Sequence, residues 1–227
     1  MLGYNFTGKV LKFLVYLLIV ATTAFLLVPI VFTILGSFSA YWGQSMFSRG
    51  LTLEWYEYVF YYYGHTIGIT LLITLTTVVV NVLIGSMMAY KVAMSPNKKS
   101  RWMKLLEEIL TLPAAIPGVA IGLALAQSYS GLRRSGVLIL IGHIVFTFPL
   151  MFRAVTGALR AKDFKSIDEC ASVLGAGPLR RFFLVIFPAI RVSILSGAIN
   201  VFMMSLGEFN ITFFLYTPYL MTLPVGM

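Results

Sequence analysis

The chain has 227 residues, 59% of them hydrophobic and only 11% charged, with a formal net charge of +9. A soluble domain carries roughly 25% charged residues, so a fold with a water-facing surface all round is excluded and the chain belongs in lipid. The basic surplus raises the question of a nucleic-acid partner, which the placement of the charges answers in the negative.

Five apolar spans can be drawn, at about 10–35, 65–93, 104–127, 136–157 and 188–214. With the N-terminus in the cytoplasm, one face receives Lys9, Lys12, Lys91, Lys98, Lys99, Arg101, Lys104, Arg153, Arg160, Lys162, Lys165, Arg180, Arg181 and Arg191. The other receives only Arg49, Arg133 and Arg134. This is the positive-inside bias of a polytopic helical protein, so the charge reports topology. Lys9 and Lys12 resemble the start of a signal peptide, but the apolar run to Leu35 is longer than a 7–15-residue signal core, and an uncleaved anchor is expected.

Residues 36–64 carry Tyr41, Trp42, Trp55, Tyr56, Tyr58, Tyr61, Tyr62 and Tyr63. Such rings prefer the headgroup layer, and the segment is expected to lie along the membrane surface as an outer loop. A docking site for an external protein is the alternative. Span two is rich in Thr, Val, Ile and Gly and ends at Lys91, before the polar turn SPNKKSR at 95–101. Span three contains Pro113 and Pro117, each of which removes a backbone donor. Such breaks are tolerated where neighbouring helices or a cavity satisfy the freed carbonyls, which predicts a helix packed inside a bundle. Glu107 and Glu108 lie at the basic edge of that span and are expected to pair with Lys104 or Arg101. Span four holds His143 and Pro149.

Span five is the most polar, with Ser193, Ser196, Asn200, Ser205, Glu208, Asn210 and Thr212. Asn200 and Ser205 suit either a solute path or helix-to-helix hydrogen bonds. Glu208 is the one acidic residue within the later spans, and an ionisable group in a membrane points to a path or gate. Counted from Pro188 at 1.5 Å per residue it falls roughly 30 Å along, near the outer interface, where a carboxylate is ordinary. An N-in protein with five spans ends outside, and a sixth span is expected beyond Met227. His65 and His143 lack any ligand cluster, so no metal site is expected. Cys170 is the lone cysteine, so no disulfide forms within the chain.

Between spans four and five lies a hydrophilic island, RAKDFKSIDECASVLGAGPLRRFFLVIFPAIR, at 160–191. A loop joining two spans needs only a few residues, so an island of this length has a task of its own. Ser166 with Glu169 reads as a capping box at a helix start. Ile167, Cys170, Ala171 and Leu174 follow as a narrow apolar stripe. Gly175 and Gly177 end the helix, and Pro178 opens a second one that runs into the membrane near Pro188. Ala171, Gly175, Ala176 and Gly177 make a small-residue turn that admits another protein's backbone. A hairpin lying on its own bundle is an equal reading of the spacing.

Glu169, Ala171 and Gly175, followed after nine residues by the Val185–Pro188 run VIFP, resemble the EAA loop of ATP-binding-cassette importer permeases. Cys170 stands where the family has its second-position alanine, and Val185 and Phe187 replace the aliphatic pair. LTLEWYEYVF at 51–60, LPAAIPGVAIG at 112–122 and SLGEF at 205–209 are similar to the polyamine, iron and molybdate-like branches of that family. The resemblance covers essentially the whole chain.

It implies an all-α, type I importer-like permease, a single transmembrane domain over 1–227 in a bacterial inner membrane, with a cytoplasmic coupling loop at about 158–187. Ser166, Glu169, Ala171, Gly175 and Pro188 would form the part that docks on an ATPase. Pro113, Pro117, Asn200, Ser205 and Glu208 would shape the path. The implied partners are two cytoplasmic ATP-binding subunits, a second permease subunit, an extracytoplasmic substrate-binding protein and membrane lipid. ATP and Mg would be bound by the ATPase, since this chain has no GxxxxGK[ST] loop, no cofactor site of its own and no catalytic constellation. The solute expected is a polyamine-like organic cation, with ferric iron, an oxyanion or a phosphonate as alternatives. A self-contained secondary transporter or channel is the competing function; it predicts intramembrane charge pairs or inverted repeats, which the sequence does not display.

Overall fold

The computed structural model describes residues 3–41, 50–95, 100–161 and 164–227, without the side chains of 3–7, 133 and 134. Trp42, Arg49, Lys98, Lys99 and Lys162 therefore lie outside the described residues, as do the side chains of Arg133 and Arg134. The fold is all-helical; among the described residues the only β contacts are isolated bridges, Ser39 with Leu51 and Thr217 with Leu220. Three helical runs are long and apolar enough to cross a membrane, Gly8–Ser37, Glu54–Met94 and Val137–Ala161, and the number rises to five if each of two bent pairs is one span.

The chain divides into two compact units, residues 1–62 and 63–227. In the first, helix α1 (Gly3–Ser37) ends in a short turn, where the Trp55 indole donates to the Ser39 carbonyl at 2.9 Å and Ser37 and Tyr56 share a 2.6 Å hydrogen bond. Helix α2 (Glu54–Val80) starts about ten residues before the apolar run does. Trp55, Tyr56, Tyr58, Tyr61, Tyr62 and Tyr63 thus ride on the first turns of a long helix, rather than on a loop laid along the surface.

In the second unit, α2 continues through a π turn (Asn81–Gly85) into α3 (Ser86–Met94). Span three is not one kinked helix. Helix α4 (Arg101–Thr111) passes into a 3-10 turn (Leu112–Ala115) and then α5 (Gly118–Ser128), and the two arms meet at 100°. Pro113 sits in the 3-10 turn and Pro117 immediately before α5, where a missing N–H costs nothing. No residue of α4 is buried, so the expectation of a helix packed inside the bundle fails for this half. Glu107 also takes a different partner: its carboxylate accepts two hydrogen bonds from Arg160, at 2.9 and 2.8 Å. Lys104 and Arg101 share its own helix, whereas the planar guanidinium of Arg160 offers a two-pronged fit.

Helix α6 (Val137–Ala161) is the central element. Its N-terminal end packs Leu138 and Ile139 with Ile121, Ile211 and Leu215. Its other end packs Met151, Phe152, Val155 and Leu159 with Ala89, Tyr90, Val92, Phe182 and Ile186. Small residues let the helices close up where lipid supplies no hydrophobic drive. A Cβ on Gly122 would meet the Ile211 backbone at 3.0 Å, and one on Gly197 would meet the Met151 sulfur at 2.9 Å.

The island forms α7 (Phe164–Val173) and α8 (Pro178–Arg181), then a π turn (Phe182–Ile186) and α9 (Phe187–Ala189). Pro188 donates no hydrogen bond, and the helix widens to π geometry just before it. An 84° bend then leads into α10 (Arg191–Leu206). The second helix of the island therefore does not run straight into span five. Helix α11 (Asn210–Leu215) follows a break at Gly207–Phe209, and α12 (Leu223–Gly226) is a single turn.

Candidate functional site

The hairpin α7–α8 has two unlike faces. Phe164 and Asp168, one turn apart, are buried, with Ala171 half-buried above them. The opposite arc of α7 carries Ile167, Cys170, Val173 and Leu174 into the open, with Val173 88% and Leu174 87% exposed. Leu179 on α8 is exposed as well. Of the stripe read from the sequence, Ile167, Cys170 and Leu174 face outward, while Ala171 is half-buried. Apolar side chains this exposed on a polar loop mark a surface suited to contact with another protein or with lipid.

The turn is set by Gly175 at φ +82°, a left-handed position that side chains disfavour. Around it the Ala176 amide donates to the Ala171 carbonyl at 3.1 Å and the Gly175 amide to the Ser172 carbonyl at 3.0 Å. These two bonds form a Schellman C-cap. The start of α7 differs from expectation. The helix already runs at Phe164, so Ser166 lies inside its first turn and is not the N-cap. Glu169, instead of closing a capping box, lies 3.6 Å from Lys165 one turn back.

Beneath the tip, Asp168 joins three elements. Its Oδ1 accepts from the Tyr90 hydroxyl at 2.5 Å, and its Oδ2 accepts from the Arg181 guanidinium at 2.7 Å. Tyr90 belongs to α3, and its ring packs against Phe182, centroids 5.3 Å apart. Neither Asp168 nor Tyr90 is among the residues the sequence singles out; one of two aspartates in a polar loop, next to Glu169, carries no signal of burial.

The residues assigned to the path separate into two groups. Ser205 and Glu208 are buried and meet in one polar network with His143. His143 Nδ1 lies 2.8 Å from the Ser205 hydroxyl, and its Nε2 lies 2.9 Å from the Thr212 hydroxyl and 3.8 Å from Glu208. Ser205 in turn donates to Thr74 at 3.4 Å. Thr147 donates to the His143 carbonyl at 2.7 Å and accepts from Asn81 at 3.0 Å. The network fills the level of α6 between its two apolar clusters.

Glu208 is 4% exposed and does not sit at a hydrated interface. Between Pro188 and Glu208 the chain bends by 84° and breaks at Gly207, and the carboxylate is enclosed by protein. Its carboxylate accepts from the Ile211 and Thr212 amides at 3.0 and 3.1 Å, capping α11. Asn200 is on the exposed face of α10, away from this network, and Pro113 and Pro117 lie at the α4–α5 bend. The structure leaves Asn200 apart from Ser205 and Glu208, whereas Pro117 immediately precedes Gly118, where an added Cβ would lie 3.3 Å from a Glu208 carboxylate oxygen. The signal that could have located the network is in α2: Thr66, Thr70, Thr74 and Thr77 recur at helical spacing and are all buried. Among the described residues no group of three or more His, Cys, Asp or Glu could hold a metal ion.

Residues 81–225 match the family described as binding-protein-dependent transport system inner membrane component. The putrescine transport system permease protein PotI of Escherichia coli (strain K12) is 32% identical over 125 residues, 52% of this chain and 44% of that protein. The molybdenum transport system permease protein ModB of the same organism is 35% identical over 126 residues, 48% of this chain and 53% of that protein. The chain spans about half the length of the curated relatives it matches.

Proposed function

The chain belongs to the family of binding-protein-dependent transport system inner membrane components, and from that premise we propose that it is the permease subunit of an ATP-driven importer. The observation that carries this reading is the two-faced hairpin. One face is anchored by Asp168 and Phe164, while Ile167, Cys170, Val173, Leu174 and Leu179 stand exposed, with no covering element among the described residues. A cytoplasmic ATP-binding subunit is the occupant we infer for that surface, with Glu169, Ala171, Gly175 and Pro188 shaping the hairpin and its exit. Two such subunits would bind ATP and Mg, and a second permease subunit would complete the conduit. The exposed face of α10 with Asn200 is then available to line a path between the two permeases, and the bend at Pro113 and Pro117 to border it.

Alternating access would follow from rigid-body motion of the ATPase pair passed through the hairpin. Polyamine-like organic cations lead as solute, supported by the likeness of 51–60 and 205–209 to that branch. Oxyanions, ferric iron and phosphonates follow. Glu208 is spent on capping α11, so it lends no support to a cation. The test is reconstitution with candidate ATP-binding and substrate-binding subunits from the same genome, in vesicles supplied with ATP, using putrescine and molybdate as probes. ATP-dependent uptake of one probe, only in the presence of the binding protein, is expected. Uptake driven by an ion gradient without ATP would favour the self-contained transporter instead.

A further inference from the structure

We propose that Asp168 is a positioning residue that fastens the hairpin to the α2–α3 helix, so that motion imposed on the hairpin reaches two membrane segments. One is α10, along the chain; the other is α3, through the carboxylate. This rests on the reading of the hairpin as an ATPase-docking element.

The covalent route is a poor strut. Between α8 and α10 the chain passes through the Phe182–Ile186 π turn and an 84° bend, both of which can absorb a push by flexing. The route through Asp168 is direct. Its two oxygens hold Tyr90 of α3 and Arg181 of α8 at 2.5 and 2.7 Å, and Asp168 and Tyr90 are 6% and 7% exposed. Charge-assisted hydrogen bonds are strong and directional, so the three elements hold one relative orientation. A buried carboxylate is an expensive way merely to fill space, since an apolar side chain packs there without the desolvation cost. What the carboxylate adds is a fixed angle between hairpin and helix. Phe164 and Phe182 pack against α3 on one side of the clamp, but a cavity of about 340 Å³, lined by Asp168, Tyr90 and Arg181 with Lys91, Met94 and Lys165, leaves its other side open.

The test uses the full chain assembled with its ATPase and companion permease in lipid nanodiscs. Spin labels are placed at Ser172→Cys, on the flank of α7, and Val79→Cys, exposed on α2, in a Cys170→Ser background. The label-to-label distance is compared between the nucleotide-free and vanadate-trapped states. With Asp168 and Tyr90 intact the distance is expected to hold, because hairpin and helix move together. With Asp168→Asn or Tyr90→Phe it is expected to shift by about 5 Å, one helical turn. Tyr90→Phe cuts only the tie to α3 and keeps the ring against Phe182, so a folded protein is expected even if Asp168→Asn misfolds. Arg181→Lys, which keeps a cation on the carboxylate, is expected to retain the parent behaviour. A shift in the parent equal to that in the variants, or no shift in any of them, overturns the proposal. Failure of the parent chain to capture an ATPase at all is a different result: it refutes the docking reading, and the proposal falls with it.

Discussion

Both carboxylate oxygens of Glu208 lie 3.0 Å from the Ile211 amide nitrogen, so the one acidic side chain of the later spans caps a short helix from within the bundle. Glu208→Ala would leave the Ile211 and Thr212 amides unpaired in a buried site, at about 1–3 kcal/mol for each donor. Thermal unfolding in detergent should fall clearly for Glu208→Ala and less for Glu208→Gln, which keeps one acceptor. A path residue would behave differently: Glu208→Gln would abolish uptake with the melting temperature unchanged.

Gly122 faces the Ile211 backbone so closely that a methyl group has no room. Gly122→Ala should force α5 and α11 apart and cost about 1–3 kcal/mol by overpacking. The same measurement on Gly157→Ala, where nothing lies within 4 Å, should show no loss.

Gly175 presents the opposite case, with open space around it but a left-handed backbone. Gly175→Val should cost about 1–2 kcal/mol through backbone conformation alone, and Gly175→Asn less. Faster amide exchange confined to Ala171–Ala176 is the expected signature, since the cap bonds there depend on that conformation. Unchanged exchange would show that the turn tolerates a side chain.

The Glu107–Arg160 pair is two-pronged but partly exposed, with side-chain exposures of 32% and 47%. Water and salt screen it, so Glu107→Gln should cost less than about 1 kcal/mol and the difference should vanish in high salt. A larger loss would mean that the pair is shielded by a neighbour.

What could be read in the sequence was local. Gly175 and Pro178 announced a helix end and a helix start within a few residues, and the hairpin has both. The stripe of Ile167, Cys170 and Leu174 was legible as a stripe, but not which way it faced. Direction depends on Tyr90, 78 residues from Asp168 in the chain. The burial of Glu208 is illegible for a related reason: its partners, the Ile211 and Thr212 amides, are presented by a break at Gly207–Phe209 that the residue pattern does not announce. Buried threonines at 66, 70, 74 and 77 hint at a polar interior, yet the Ser205 partner of Thr74 lies 131 residues away in sequence.

The central claim is that the exposed face of the hairpin is covered by an ATPase subunit, and capture measures it most directly. Leu174→Arg adds charge at a side chain that is 87% exposed, so it should not disturb folding. The parent chain, purified in mild detergent with its genomic neighbours co-expressed, should retain the ATP-binding subunit, and the Leu174→Arg protein should lose it at an unchanged melting temperature. Equal retention of the ATPase by both proteins would contradict the account.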